Sequence, residues 1–182
     1  MSKKTAMENW VVLFVRTGSE NKLLQTLKEN LNTDDYLPFL PSKETSFRRK
    51  GIVHKFRKPL FPGYIFLQTE KEPSIIADDL KAVLRGVKGI YSLLHYGSDK
   101  TDVAMCESER LYWERLFDSD FCIAGSVGFI EGDKVYVTSG ALVGLEGSIK
   151  KINRHKREAI IEMEMMGTKR EVTLMLEIVG VA

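Results

Sequence analysis

Cysteine is scarce in this chain. Cys106 and Cys122 are the only two in 182 residues, and they form neither a CxxC pair nor a disulfide framework, as expected of a protein from a reducing, cytoplasmic compartment. Long apolar runs are missing as well. No stretch reaches the roughly 18 residues that a membrane span needs. The run "VVLFV" near the N-terminus is too short for a signal-peptide core, and no small-residue cleavage site follows it. Histidine is limited to His54, His95 and His155, far apart and without ligand spacing, which argues against a metal site. No glycine loop of the P-loop or Rossmann type is present. Nothing groups serine, histidine and aspartate into a catalytic constellation. Cys106 stands before a predicted helix with Glu109 three residues on, where a thiol can have a lowered pKa. A weak cap in place of serine is the simpler reading. The expectation is a protein with no enzymatic activity, no cofactor and no membrane contact.

What is present is a globular composition, 43% hydrophobic and 29% charged, with a formal net charge of only +2. The charge is unevenly spread. Residues 43–58 hold Lys43, Arg48, Arg49, Lys50, Lys55, Arg57 and Lys58 against Glu44 alone. Residues 150–157 hold Lys150, Lys151, Arg154, His155, Lys156 and Arg157 with no acid. Local basic patches in a near-neutral chain point to polyanion contacts at particular places. The competing reading of each run is a solvated loop.

The first half of the chain alternates strands and helices. "NWVVLFVR" is a short buried strand. Thr17 with Glu20 has capping-box spacing, and Leu23, Leu24, Leu27 and Leu31 line one face of the helix that follows. Pro38 and Pro41 keep "YLPFLPSKE" extended. Residues 45–57 read as a polar, basic, mobile hairpin or loop around Gly51. "LFPGYIFLQT" is a strand. Ser74 is the predicted N-cap of a second helix with an apolar stripe of Ile76, Leu80, Val83 and Leu84. "VKGIYSLLHYG" is a further strand. A third helix over 107–117 is expected to bury Leu111, Tyr112 and Leu116. From Ile130 onward short alternating strands with glycine turns predict a small antiparallel barrel. The domains expected are 8–117, a linker at 118–128, and 129–182.

"WVVLFVRTG", "LFPGYIFL" and "VKGIYSLL" resemble the N-terminal (NGN) module of NusG transcription elongation factors, and "EGDKVYVTSGALVGLEGSIKKI" resembles their KOW motif. The resemblance spans nearly the whole chain in order. It implies an α+β NGN domain, a four-stranded mainly antiparallel sheet with helices, followed by an all-β SH3-like KOW barrel. It also implies a monomeric transcription elongation or antitermination factor whose NGN domain docks on the clamp helices of RNA polymerase. That role carries over to Trp10, Phe61, Pro62 and Tyr64, with Phe14 beside them. From the residues alone Trp10 and Phe14 read as core. The basic arm Arg48, Arg49, Lys50, Lys55, Arg57 and Lys58 would face the cleft and the non-template DNA.

The loop "GALVGLEG" carries Leu145 and no aromatic, where general elongation factors place an aromatic that contacts a ribosomal protein or Rho. Those two partners are therefore not carried over. The basic strand–turn–strand most resembles the LoaP antiterminators, which are recruited by an RNA hairpin. Lys150, Lys151, Arg154, His155, Lys156, Arg157, Lys169 and Arg170 are the candidate contacts to a nascent RNA hairpin. Two alternatives stay open: a general elongation factor whose KOW domain binds a protein, and a ribosome-associated RNA-binding protein.

Overall fold

The computed structural model describes residues 7–181. In chain order the first elements are β1 (Asn9–Val15), α1 (Glu20–Asn30), β2 (Tyr36–Phe39), β3 (Ser42–Arg49), β4 (Ile52–Pro59) and β5 (Tyr64–Thr69). Then come α2 (Pro73–Gly86), β6 (Ile90–Leu93), α3 (Glu107–Leu116) and β7 (Cys122–Ile123). The chain ends with β8 (Ser126–Glu131), β9 (Lys134–Ser139), a 3-10 turn at Glu146–Ser148, β10 (Ile149–Asn153), β11 (Glu158–Met165) and β12 (Thr168–Val181). Two compact units divide these elements. One comprises the chain up to Pro41 with Phe61–Arg110, the other Ser42–Leu60 with the chain from Leu111.

The first unit is a four-stranded sheet in the order β2-β5-β1-β6, with every ladder antiparallel. Side chains alternate across a strand, so Val11, Leu13 and Val15 of β1 join Ile65 and Leu67 of β5 in one core with Leu23 and Leu27 of α1, Leu31 just after it, and Ile76 and Leu80 of α2. The leucine and isoleucine stripes therefore make the helices cover this face of the sheet. On the opposite face Trp10 meets Phe39 and Phe66 edge-on, with ring centroids 5.1 and 6.3 Å apart.

Both predicted helix caps are corrected. α1 starts after Ser19 rather than Thr17, with no side-chain cap bond. Glu20 is instead buried, and its carboxylate accepts the Gly63 N–H at 2.7 Å across the unit. α2 has Pro73 in its first turn after Glu72, so Ser74 lies inside the helix. The strand predicted at 87–97 is shorter, Ile90–Leu93.

The second unit holds two sheets, β4-β3-β7 and β10-β11-β12-β8-β9. The β12–β8 ladder is parallel, and among the described residues no ladder joins β9 to β10. The sheet is mixed rather than purely antiparallel and no closed barrel is formed among the described residues, an arrangement compatible with the SH3-like barrel expected here. Residues 118–128, the segment expected to link the domains, carry regular structure. β7 pairs in parallel with β3, β8 begins at Ser126, and Asp118 Oδ1 accepts the N–H groups of Asp120 and Cys122 at 2.8 and 2.9 Å. In α3 the buried anchors are Trp113 and Leu116, whereas Leu111 is exposed. Trp113 stacks on Phe117 with centroids 5.7 Å apart, and this aromatic anchor rotates the helix away from the face predicted for it.

Candidate functional site

Three aromatic rings pack together at the surface of the first unit. Phe14 on β1 lies directly across the ladder from Tyr64 on β5, which puts both on one face of the sheet. Their ring centroids are 5.4 Å apart, and Tyr91 of β6 lies 5.2 Å from Phe14 on its other side. Phe14 is 37% exposed and Tyr91 60%, while Tyr64 is half-buried. The β1–β6 register shifts at Phe14/Val15, and such an irregularity re-aims side chains.

Of the residues predicted for this surface, Pro62 is exposed and Phe14 and Tyr64 are reachable. Trp10 and Phe61 are buried, at 1% and 8% exposure, and lie beneath this surface. Their burial follows from the sheet. Trp10 lies in the cluster with Phe39 and Phe66 on the face it shares with Phe14, and the Phe61 carbonyl accepts the Tyr64 N–H at 3.3 Å in the turn that carries Pro62 and Gly63. Tyr91 was missed by the sequence reading because a four-residue strand shows no usable periodicity.

The turn holding Tyr64 in place is built around Gly63. Its φ is +87°, and a Cβ there would meet Thr17 Oγ1 at 2.9 Å. Its carbonyl accepts the Val15 N–H at 2.8 Å. Burial opposes ionisation of Glu20, but backbone donors at Glu20, Gly63 and Gly18 outweigh it and hold its pKa below the ordinary carboxylate value.

The basic segments lie in the second unit. Residues 42–59 form a regular two-stranded hairpin, with Lys50 and Gly51 at φ +50° and +82° in its turn. Its base is fixed to the rest of the unit. The Lys43 Nζ donates to the Thr173 carbonyl at 2.5 Å, and Glu44 Oε2 accepts the Gly125 N–H at 2.8 Å. Burial lowers the pKa of Lys43. Part of the predicted arm is neutralised. Arg57 pairs with Asp120 at 3.2 Å and Asp118 at 3.8 Å, and Lys55 pairs with Glu44 at 3.8 Å. The hydrogen bond to Asp120 is the main reason the Arg57 pKa is raised. Lys58 lies over the Phe56 ring, 5.0 Å from its centroid. Arg48, Arg49 and Lys50 are exposed at the tip.

The basic residues from 150 onward divide in the same way. Lys150 pairs with Glu162 and with Glu171, and Lys169 pairs with Glu162 at 3.0 Å. Arg157 has φ +55° and pairs with Glu177 at 3.2 Å, and its carbonyl accepts the Leu176 N–H at 2.9 Å, so it anchors the turn. Arg170 is half-buried. Lys151, Arg154, His155 and Lys156 are exposed, and no ion pair is formed by them among the described residues. Arg154, His155 and Lys156 share a cleft of about 490 Å³ with Phe47 and Arg48 of the hairpin. Two basic runs about a hundred residues apart in sequence thus meet in one place.

The chain thus carries an aromatic surface on an α+β unit and a basic cleft on a second, largely β unit. Residues 8–111 match the family model described as "Transcription termination factor nusG", and residues 131–164 match the KOW motif. The chain belongs to the NusG family. It is similar to the transcription termination/antitermination protein NusG of Thermus thermophilus, 25% identical over 172 residues, covering 91% of this chain and 94% of the relative. The protein of the same name from Pasteurella multocida is 24% identical over 180 residues (96% and 95%), and that from Halalkalibacterium halodurans 24% over 181 (92% and 94%).

Proposed function

We propose that this chain is a processive antitermination or elongation factor that binds RNA polymerase through its aromatic surface and contacts a nascent RNA hairpin through its KOW module. Phe14, Tyr64 and Tyr91, three mutually packed and partly exposed rings, carry the polymerase reading. Aromatic rings supply large contact area at low entropy cost and dominate interface energetics. Pro62 extends that surface. Residues 8–117 act as the polymerase-binding module and 129–182 as an SH3-like KOW module. The unpaired cations of the turn, Arg154 and Lys156, support RNA contact, because RNA hairpins are read through backbone phosphates and splayed loop bases. The same cations favour a reading in which the chain belongs to the LoaP-type branch of the family. Arg48, Arg49 and Lys50 at the hairpin tip suit a contact with non-template DNA.

The test is binding of purified polymerase. Phe14→Ala and Tyr91→Ala are each expected to weaken it about thirtyfold, the loss at which an interface residue counts as a hot spot. Unchanged affinity in both variants refutes the docking surface. One observation favours a second reading, in which the KOW module binds a protein. Phe129 and Tyr136 stack with centroids 5.1 Å apart, and Tyr136 is 40% exposed, which supplies the aromatic that "GALVGLEG" lacks. Tyr136→Ala separates the readings. It should leave RNA binding intact and weaken a protein contact.

A further inference from the structure

The cleft where the two basic runs meet contains something that neither run supplies alone. Phe47, on the hairpin strand β3, is 49% exposed and lines the cleft beside Arg48, facing Arg154, His155 and Lys156 of the turn. An exposed phenylalanine among cations gains nothing in stability from its exposure. It is also held in place, with its ring stacked on His54 at 5.2 Å and 17° and its edge against Phe56 at 5.5 Å. The base of the hairpin is fixed within the same unit as the turn by the Lys43–Thr173 and Glu44–Gly125 hydrogen bonds and the β3–β7 ladder. The turn is pinned in its own right by Arg157–Glu177.

We propose that hairpin and turn form one composite RNA site, in which an unpaired base stacks on Phe47 while Arg48, Arg154 and Lys156 hold the flanking phosphates. The proposal rests on RNA contact by the turn and deepens it by assigning the ligand as unpaired loop nucleotides rather than duplex. The chemistry fits on both counts. An aromatic ring inside a basic groove is the platform on which single-stranded bases stack. Arginine forks reach phosphate oxygens bidentately and also stack on bases. A rigid A-form stem offers no free base to the ring.

The experiment selects from a pool of RNA hairpins with a fixed stem and a randomised loop, using the full chain. The enriched hairpin is then compared with a blunt duplex of the same stem and with the DNA of the same sequence. Phe47→Leu is expected to weaken binding of the looped hairpin about fivefold or more and leave the duplex unchanged. Arg48→Gln is expected to reduce the log–log salt slope by about 0.7 to 0.9. If Arg154→Gln abolishes binding while both hairpin variants bind like the parent, the composite site is wrong and RNA contact by the turn stands. If the intact chain enriches no RNA, both fail. Equal or tighter binding of the DNA overturns the RNA assignment.

Discussion

Replacing Glu20 by glutamine tests how the aromatic turn is held. The Glu20 carboxylate is buried and accepts the Gly63 N–H at 2.7 Å, and Gly63 immediately precedes Tyr64. A hydrogen bond to a buried charged group contributes about 1.5–3 kcal/mol, against about 1 kcal/mol for a neutral one. Glutamine keeps an acceptor oxygen of the same shape, so Glu20→Gln should cost about 1 kcal/mol at pH 7. The sign of the pH dependence follows from the lowered pKa of Glu20. The unfolded chain takes up the proton at a higher pH than the folded one, so this contribution is complete above the unfolded value near 4.5 and is lost as pH falls through the folded value. Urea unfolding of parent and variant at pH 7 and at successively lower pH reads the difference directly. The gap should be largest at neutral pH and shrink on acidification. A gap of equal size at pH 7 and pH 3 would show that the carboxylate charge does not hold this turn.

Other substitutions separate support from contact. Trp10→Ala should destabilise the fold by about 3–5 kcal/mol, since it empties the fully buried cluster with Phe39 and Phe66, whereas Tyr91→Ala should stay within about 0.5 kcal/mol in the same unfolding experiment. Gly63→Ala should cost about 1–2 kcal/mol for its positive φ alone, and amide exchange should report loosening around Tyr64. Arg157→Ala should lower the melting temperature by removing the Glu177 pair and loosening the turn, while Arg154→Ala leaves it unchanged.

The parts of this fold that are legible in the sequence are those set by local periodicity. The apolar run of β1, the leucine stripe of α1 and the Ile76/Leu80 stripe of α2 all occupy the core they announce. The four-stranded antiparallel sheet is expected only from the resemblance to the NGN module. What could not be read depends on partners distant in the chain. Glu20 has capping-box spacing but is drawn to Gly63, because a buried backbone N–H needs an acceptor. Trp10 and Phe14 share one face of β1 and read alike in sequence, and only the packing of Trp10 against Phe39 and Phe66 buries the one while the other stays exposed. Charge is the harder case. Arg57 and Arg157 sit in basic runs, yet the acids that neutralise them, Asp118, Asp120 and Glu177, lie outside those runs. Only Arg154, His155 and Lys156 of the turn were left to meet Phe47 and Arg48, and nothing in sequence spacing foretold that meeting.

Polymerase capture tests the central claim most directly. The full chain, its Phe14→Ala/Tyr91→Ala double variant and Trp10→Phe are each immobilised and exposed to purified RNA polymerase. The account predicts retention by the parent and by Trp10→Phe, whose substitution lies beneath the surface, and loss by the double variant with an unchanged melting temperature. Undiminished retention by a folded double variant would contradict it.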